Sequence, residues 1–323
     1  MSKLSLAAIV LGGIAATAQA QTKWDIASAY PTSNFHTENL TQFAKDVEQA
    51  AGGKLRVTVH ANAALFKAPD IKRAVQGNQA QVGEILLVNY QNEWQGYGVD
   101  GLPFLADSYP EARKLYQAQK PALEKKLGEQ GIMLLYAVPW PPQGLFVKKP
   151  ISSLADLKGS KWRAYSPATT RMAELIGAQP VTVQAADLPQ AMATGAVESF
   201  MTSGATGYDS KTYEHIKYYY NTQAWLPKNA VIVNRKAFES LDEATQQAVR
   251  KAAAAAEERG WKTSEAKDRE YVGLLKKNGM EIVEPSPQLK TDMRKMVGEP
   301  ILKEWLQKAG PEGQAVVDAY KKP

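Results

Sequence analysis

Hydrophobic residues recur along the chain with two periods, and the switching between them outlines its elements. Trp24-Asp-Ile-Ala-Ser-Ala-Tyr reads as a first strand that runs into a turn at Pro31-Thr-Ser-Asn. Phe43, Val47 and Ala50 then return at three- or four-residue spacing, which predicts a helix ended by Gly52-Gly53. Leu55-Arg-Val-Thr-Val-His alternates cleanly, as a half-buried strand does. The same order continues with a helix near 69–76, a strand over 82–88, a helix opened by the capping box Ser108 and Glu111, and the apolar strand Ile132-Met-Leu-Leu-Tyr-Ala-Val. After Pro150 a second series predicts strands at 161–164, 181–183 and 197–201 and helices at 168–176 and 187–194. Strands alternating with helices in this way predict α/β domains built on mainly parallel sheets.

Two stretches are built alike. Ile71-Lys-Arg-Ala-Val-Gln-Gly before Gln81-Val, and Leu188-Pro-Gln-Ala-Met-Ala-Thr-Gly before Val197, each read as a short helix, a glycine stop and a strand. Coincidence produces such a match, and so do two similarly constructed lobes. From 242 to 278 the chain is rich in Ala, Glu, Lys and Arg, with Val249, Ala253, Ala256, Trp261, Tyr271 and Leu274 forming an apolar stripe. Gly260 and Gly273 each cost ~1 kcal/mol relative to alanine without obliging a break. A helix of that length exceeds the width of one small domain, so it either crosses both lobes or bends at Gly260. Past Gly279 and Pro285, Leu302, Trp305 and Leu306 mark a last amphipathic segment that packs back onto the body.

The N-terminus changes the picture. Lys3, an apolar run from Leu4 to Ala16, and Ala18-Gln19-Ala20 form a secretory leader with an A-x-A cleavage pattern, so residues 1–20 are expected to be removed after Ala20. The run falls short of the ~20 residues that span a bilayer, and no comparable run follows, which predicts a soluble periplasmic protein. Loss of the leader removes Lys3 and no acid, taking the net charge from +6 to +5. That surplus is scattered among acids, which argues against nucleic acid as a partner. Cysteine is absent, so an exported chain of this length must rest on its apolar cores, most naturally two.

The search for chemistry removes several classes. His36, His60 and His215 stand in no metal-ligand spacing, and no metal or cofactor is expected; His60 reads as structural or surface. Gly96-Tyr-Gly98-Val-Asp-Gly101 satisfies G-x-G-x-x-G, but Leu102-Pro103-Phe104 blocks the helix that a dinucleotide site needs. What remains is Val138-Pro-Trp-Pro-Pro-Gln, whose prolines hold Trp140 in place, and Asp156-Leu-Lys-Gly-Ser-Lys-Trp-Arg, which delivers Arg163 to a strand end. A guanidinium there suits a carboxylate held by two hydrogen bonds; spacing alone leaves open whether that carboxylate is the protein's own or a ligand's.

Leu102-Pro-Phe, Ser153-Leu-Ala-Asp-Leu-Lys-Gly-Ser-Lys-Trp-Arg and Val197-Glu-Ser-Phe together resemble the solute-binding proteins of tripartite ATP-independent periplasmic (TRAP) transporters. The resemblance spans essentially the whole chain after the leader, and Asp-Leu-Lys-Gly-x-Lys-x-Arg is its most specific part. It implies a two-lobed periplasmic binding protein, monomeric and not an enzyme, with a ligand cleft between lobes and a long helix spanning both. The expected lobes are 21–141 with 229–268, and 142–228 with 269–323. The family's ligand arginine falls on Arg163, and the implied partner is a membrane permease of a small and a large subunit.

This chain departs from the sialic-acid-binding members, whose second arginine falls on Gln143, asparagine near Thr202, first-lobe acid near Leu86 and another polar contact near Phe66. Hydroxyls left unpaired there would cost roughly 1–3 kcal/mol each. The expected ligand is therefore a single carboxylate on a less polar body. An aromatic or hydrophobic 2-oxo or 2-hydroxy acid leads, walled by Trp140, Phe66, Leu86 and Met201, its second oxygen meeting Gln143, Ser166 or Thr202. Lys67 or Lys228 as a second positive group would admit a short aliphatic 2-oxo acid or a dicarboxylate. The alternatives are a periplasmic enzyme acting on a carboxylate, or a sensor-linked binding protein.

Overall fold

The computed structural model describes residues 21–322; the expected leader and its cleavage point fall outside the described residues. The chain begins with β1 (Thr22–Ala27), α1 (Phe35–Ala50), β2 (Leu55–His60), α2 (Ile71–Gln76), β3 (Val82–Leu86), α3 (Tyr109–Glu129) and β4 (Ile132–Pro139). Next come β5 (Gln143–Val147), β6 (Lys161–Ala164), α4 (Pro167–Leu175), β7 (Gln179–Thr182), α5 (Leu188–Ala193), β8 (Ser199–Ser203), α6 (Gly204–Asp209) and β9 (Tyr218–Tyr220). It ends with β10 (Lys228–Asn234), α7 (Arg235–Glu239), α8 (Glu243–Lys277), β11 (Glu281–Val283), α9 (Pro287–Met293) and α10 (Glu299–Lys321). As the capping box predicts, the Ser108 hydroxyl accepts from the Glu111 backbone N–H at the start of α3.

The strands form two sheets, ordered β2-β1-β3-β10-β4 and β11-β9-β5-β8-β6-β7. Both are mixed rather than mainly parallel. β10 runs antiparallel to β3 and β4, and β5 runs antiparallel to β8 and β9. Each of these two strands enters its sheet directly from the other lobe, with no crossover helix to reverse the chain, so it arrives in the opposite direction. The two crossings pair with each other: Trp140 N–H donates to Pro227 O at 2.8 Å, Gln143 N–H to Trp225 O at 2.9 Å, and Ala224 N–H to Gln143 O at 2.9 Å. They make a two-stranded hinge at the base of the cleft.

The repeated stretches are equivalent units. Each short helix, α2 and α5, follows a single 3-10 turn (Ala68–Asp70 and Ala185–Asp187) and leads through a glycine into a strand. The two 3-10 turns face the cleft from opposite lobes.

Helix α8 is continuous over 35 residues, about 52 Å, and runs through Gly260 without a break. It packs on α1 and β4 of the first lobe and on α6 and β11 of the second. Gly260 is what permits the first of these contacts. A Cβ there would lie 2.3 Å from Val138 Cγ2 and 2.9 Å from Asn39 Nδ2. Gly260→Ala should therefore destabilise the protein by about 1–3 kcal/mol through overpacking, although the same change favours an exposed helix by ~1 kcal/mol. Chemical denaturation would measure it, and a gain in stability would refute the close approach.

Helix α10 breaks at Gly310 (φ 58°) and packs on α3 and on the 3-10 turns of Gln95–Gly101. Trp305 Nε1 donates to Gln95 O at 3.0 Å, while Glu304 pairs with Arg171 of α4 at 2.9 Å. The C-terminal segment, expected in the second lobe, thus ties both lobes together. The G-x-G-x-x-G stretch is 3-10 throughout and begins no α-helix.

Candidate functional site

A cavity of about 350 Å³ opens between the lobes against the hinge. The first lobe contributes Tyr30, Lys67 and Leu86, the second contributes Arg163, Tyr165 and Thr202, and the hinge contributes Trp140, Gln143 and Pro227. The 3-10 turns before α2 and α5 supply Ala68, Pro69, Ala185, Ala186 and Asp187.

Arg163 sits in β6, paired with Val181 of β7 and Phe200 of β8, and only 3% of its surface is exposed. Its Nε–H donates to Val183 O at 2.9 Å, and the guanidinium lies 5.0 Å from the centre of the Tyr165 ring. Nη1 is buried without a hydrogen-bond partner, and no carboxylate pairs with the group among the described residues. Burial pushes its pKa down to about 10, so it stays charged at neutral pH. A buried charge with no counter-ion is costly, and the unpartnered Nη1 belongs to a residue that lines the cavity.

Trp140 is held by its indole N–H, which donates to Asn229 Oδ1 at 2.9 Å. Tyr30 reaches the same oxygen through its hydroxyl at 3.3 Å and meets the Trp140 ring edge-on, with centroids 5.0 Å apart. Gln143 is largely committed to the protein: Tyr165 Oη donates to its Oε1 at 3.0 Å, and its Nε2 donates to Pro141 O at 3.0 Å.

The residues expected from sequence divide accordingly. Arg163, Trp140, Gln143, Thr202 and Leu86 line the cavity; Met201, Ser166 and Phe66 do not. Strand β8 begins two residues later than expected, and alternation puts Thr202 on the cleft face and Met201 on the core face with Leu145. Ser166 is spent as the N-cap of α4, accepting from Thr169 N–H at 3.2 Å. Phe66 packs on the first-lobe core beside Ala63 and Ala68. Lys228, expected as a second cation, is fully buried 3.3 Å from Asp100; Lys67 does face the cavity. Tyr165 went unsuspected, although period-two alternation places it on the same face as Arg163. Tyr30 had a cue too, at the carboxyl end of the first strand, where ligands of open α/β sheets sit. His60 is structural, its Nε2 2.7 Å from Asp25 Oδ1, and among the described residues no cluster of His, Asp or Glu could hold a metal.

A family model described as "Bacterial extracellular solute-binding protein, family 7" matches residues 26–308. The chain belongs to this family. It is a solute-binding protein of the TRAP type, two-lobed and α/β, and its family is one of receptors, not enzymes. It is 62% identical to DctP6, a Bordetella pertussis extracytoplasmic solute receptor binding pyroglutamic acid, over 94% of this chain and all of that one, with a TM-score of 0.92. DctP7 of the same organism, also binding pyroglutamic acid, is 44% identical over 93% of this chain and all of its own, with a TM-score of 0.91. A TRAP solute-binding protein from a marine metagenome, in complex with co-purified pyroglutamate, is 41% identical over 94% of this chain and all of its own, with a TM-score of 0.91. These likenesses cover the cleft from both sides and place the family's receptors outside the cytoplasm.

Proposed function

We propose that this TRAP receptor captures pyroglutamate in the cleft and delivers it to an ion-driven permease of a small and a large membrane subunit. The observation that carries the reading is Arg163, a buried guanidinium without a carboxylate partner in a cavity whose walls are mostly apolar. Pyroglutamate brings one carboxylate on a compact five-membered lactam. An aromatic 2-oxo acid shares the single charge and flat body, but similarity to three pyroglutamate receptors favours the lactam. In this reading the carboxylate sits on Arg163, Trp140 and Tyr30 cover the ring, and Thr202 and the remaining Gln143 N–H meet the lactam. The receptor works as a periplasmic monomer after cleavage behind Ala20.

A ligand at 100 times its dissociation constant stabilises by about 2.7 kcal/mol, which a thermal-shift screen detects as several degrees. Pyroglutamate should give the largest shift among pyroglutamate, phenylpyruvate, pyruvate and succinate. A larger shift with succinate would instead assign Lys67 to a second carboxylate, and no shift with any acid would end the proposal.

A further inference from the structure

Outside the hinge, few polar contacts join the two lobes directly. Among the described residues only two side-chain hydrogen bonds connect the span from β1 to β4 with the span from β5 to β9: Asn34 Nδ2 donates to Asp209 Oδ2 at 2.7 Å, and Asn89 Nδ2 to Gln184 Oε1 at 3.4 Å. The first is the stronger, because it is short and its acceptor is a carboxylate. It borders a second cavity of about 310 Å³, which shares Tyr30, Trp140 and Thr206 with the first and which Asn34 and Asp209 line from opposite lobes. Neither of the two lines the first cavity.

Local structure holds both ends of this bond. Asn34 is buried and caps α1: its Oδ1 accepts from His36 N–H at 2.9 Å, which fixes the amide and turns Nδ2 towards the other lobe. Asp209 is the last residue of α6. Helices α1 and α6 both pack on α8, so the bond closes a bridge over the helix that the lobes share. Glu38 of α1 repels the Asp209 carboxylate and Lys267 of α8 attracts it, but Lys267 pairs with Glu270 instead, at 3.1 Å. The Asn34 amide is thus the one hydrogen-bond partner of that carboxylate among the described residues.

We infer that Asn34 and Asp209 are positioning residues for ligand retention: their bond is a clasp between the lobes that acts through closure and sets how slowly a captured acid leaves the cleft. This rests on the reading of the cleft as the ligand site. An opened cleft returns both groups to water, and closure brings them together as a charge-assisted hydrogen bond, so the pair favours the closed state without taking part in the encounter. Apparent affinity scales with the closed fraction, and the clasp therefore acts on release far more than on capture.

Stopped-flow tryptophan fluorescence with pyroglutamate separates the two rates; at pH 8 Asp209, pushed up to about 6 by burial, is ionised. Asn34→Asp keeps the cap of α1, since aspartate caps as well as asparagine, but sets a second carboxylate against Asp209. Release should speed up roughly ten- to a hundredfold, while capture changes by less than about threefold. Exchanging the side chains, Asn34→Asp with Asp209→Asn, reverses donor and acceptor and should bring release back to within about threefold of the native rate. Release from Asn34→Asp at the native rate overturns the inference, and so does an exchanged pair that releases as fast as Asn34→Asp alone. Should Asn34→Asp not fold, Asp209→Ala, which leaves the cap of α1 intact, carries the same expectation.

Native protein that takes up no pyroglutamate overturns the ligand assignment, and the distance between the lobes then decides the clasp. The chain has no cysteine, so Lys45→Cys and Gln190→Cys place spin labels at exposed positions of α1 and α5 alone. Asn34→Asp should lengthen the distance between these labels in the ligand-free receptor, and an unchanged distance distribution overturns the clasp.

Discussion

Replacing Arg163 with alanine should weaken carboxylate binding by about 2–5 kcal/mol, a factor of roughly 30 to several thousand, because it removes one partner of a buried, hydrogen-bonded charge pair. The companion expectation is less intuitive and discriminates better. In the empty receptor Arg163 is charged, buried and without a counter-ion, and its depression from the ordinary arginine value to about 10 corresponds to roughly 3 kcal/mol of desolvation. Sign follows from proton counting: between those two values the unfolded chain holds more protons, so stability rises with pH there and the cost is in full force at neutrality. Methionine in its place removes the charge but strands Val183 O, which offsets about 1 kcal/mol. Ligand-free Arg163→Met should therefore be more stable than the native protein by about 2 kcal/mol while gaining nothing from pyroglutamate. Urea titrations with and without ligand test both halves. A destabilised empty variant would mean that Arg163 serves the fold, and retained ligand stabilisation would move the carboxylate elsewhere.

The residues that could be read from sequence are those whose roles follow from local pattern. The alternation of Leu55–His60, the Ser108 cap and the apolar stripe of α8 each fix an element without help from the rest of the chain. Arg163 emerged from a local motif as well. Strand β10 did not, because all seven of its residues are buried and it shows no alternation to detect. Met201 and Ser166 stay out of the cavity for local reasons: Met201 and Thr202 are neighbours in β8, so alternation lets only one of them face the cleft, and a helix cap competes for the serine hydroxyl. Glu84, His36 and Asn229 lie far apart along the chain and meet only through the packing of β3, α1 and β10, so no spacing could join them.

The ion pair of Asp100 and Lys228 belongs to that class, and it carries the second large effect. Asp100 Oδ2 lies 3.3 Å from Lys228 Nζ and also accepts from the Lys228 backbone N–H at 2.8 Å, with both side chains fully buried. Burial raises the aspartate and lowers the lysine, while their mutual attraction opposes both shifts. Asp100→Ala leaves a buried ammonium alone and should cost about 3–5 kcal/mol, or on the order of 10 °C in Tm. The double replacement Asp100→Leu with Lys228→Met should come close to the native stability, since the pair is removed together with its desolvation. In Asp100→Ala the folded state releases the Lys228 proton before the unfolded state does. The unfolded chain then binds more protons, and the defect should shrink as pH rises towards the ordinary lysine range. A pH-independent defect would assign the loss to the backbone hydrogen bond instead. That distinction bears on the cleft, because Lys228 follows Pro227, whose carbonyl holds Trp140 N–H at 2.8 Å. The variant that keeps its stability but loses the anchored backbone reports how much of ligand affinity depends on where the hinge enters the first sheet.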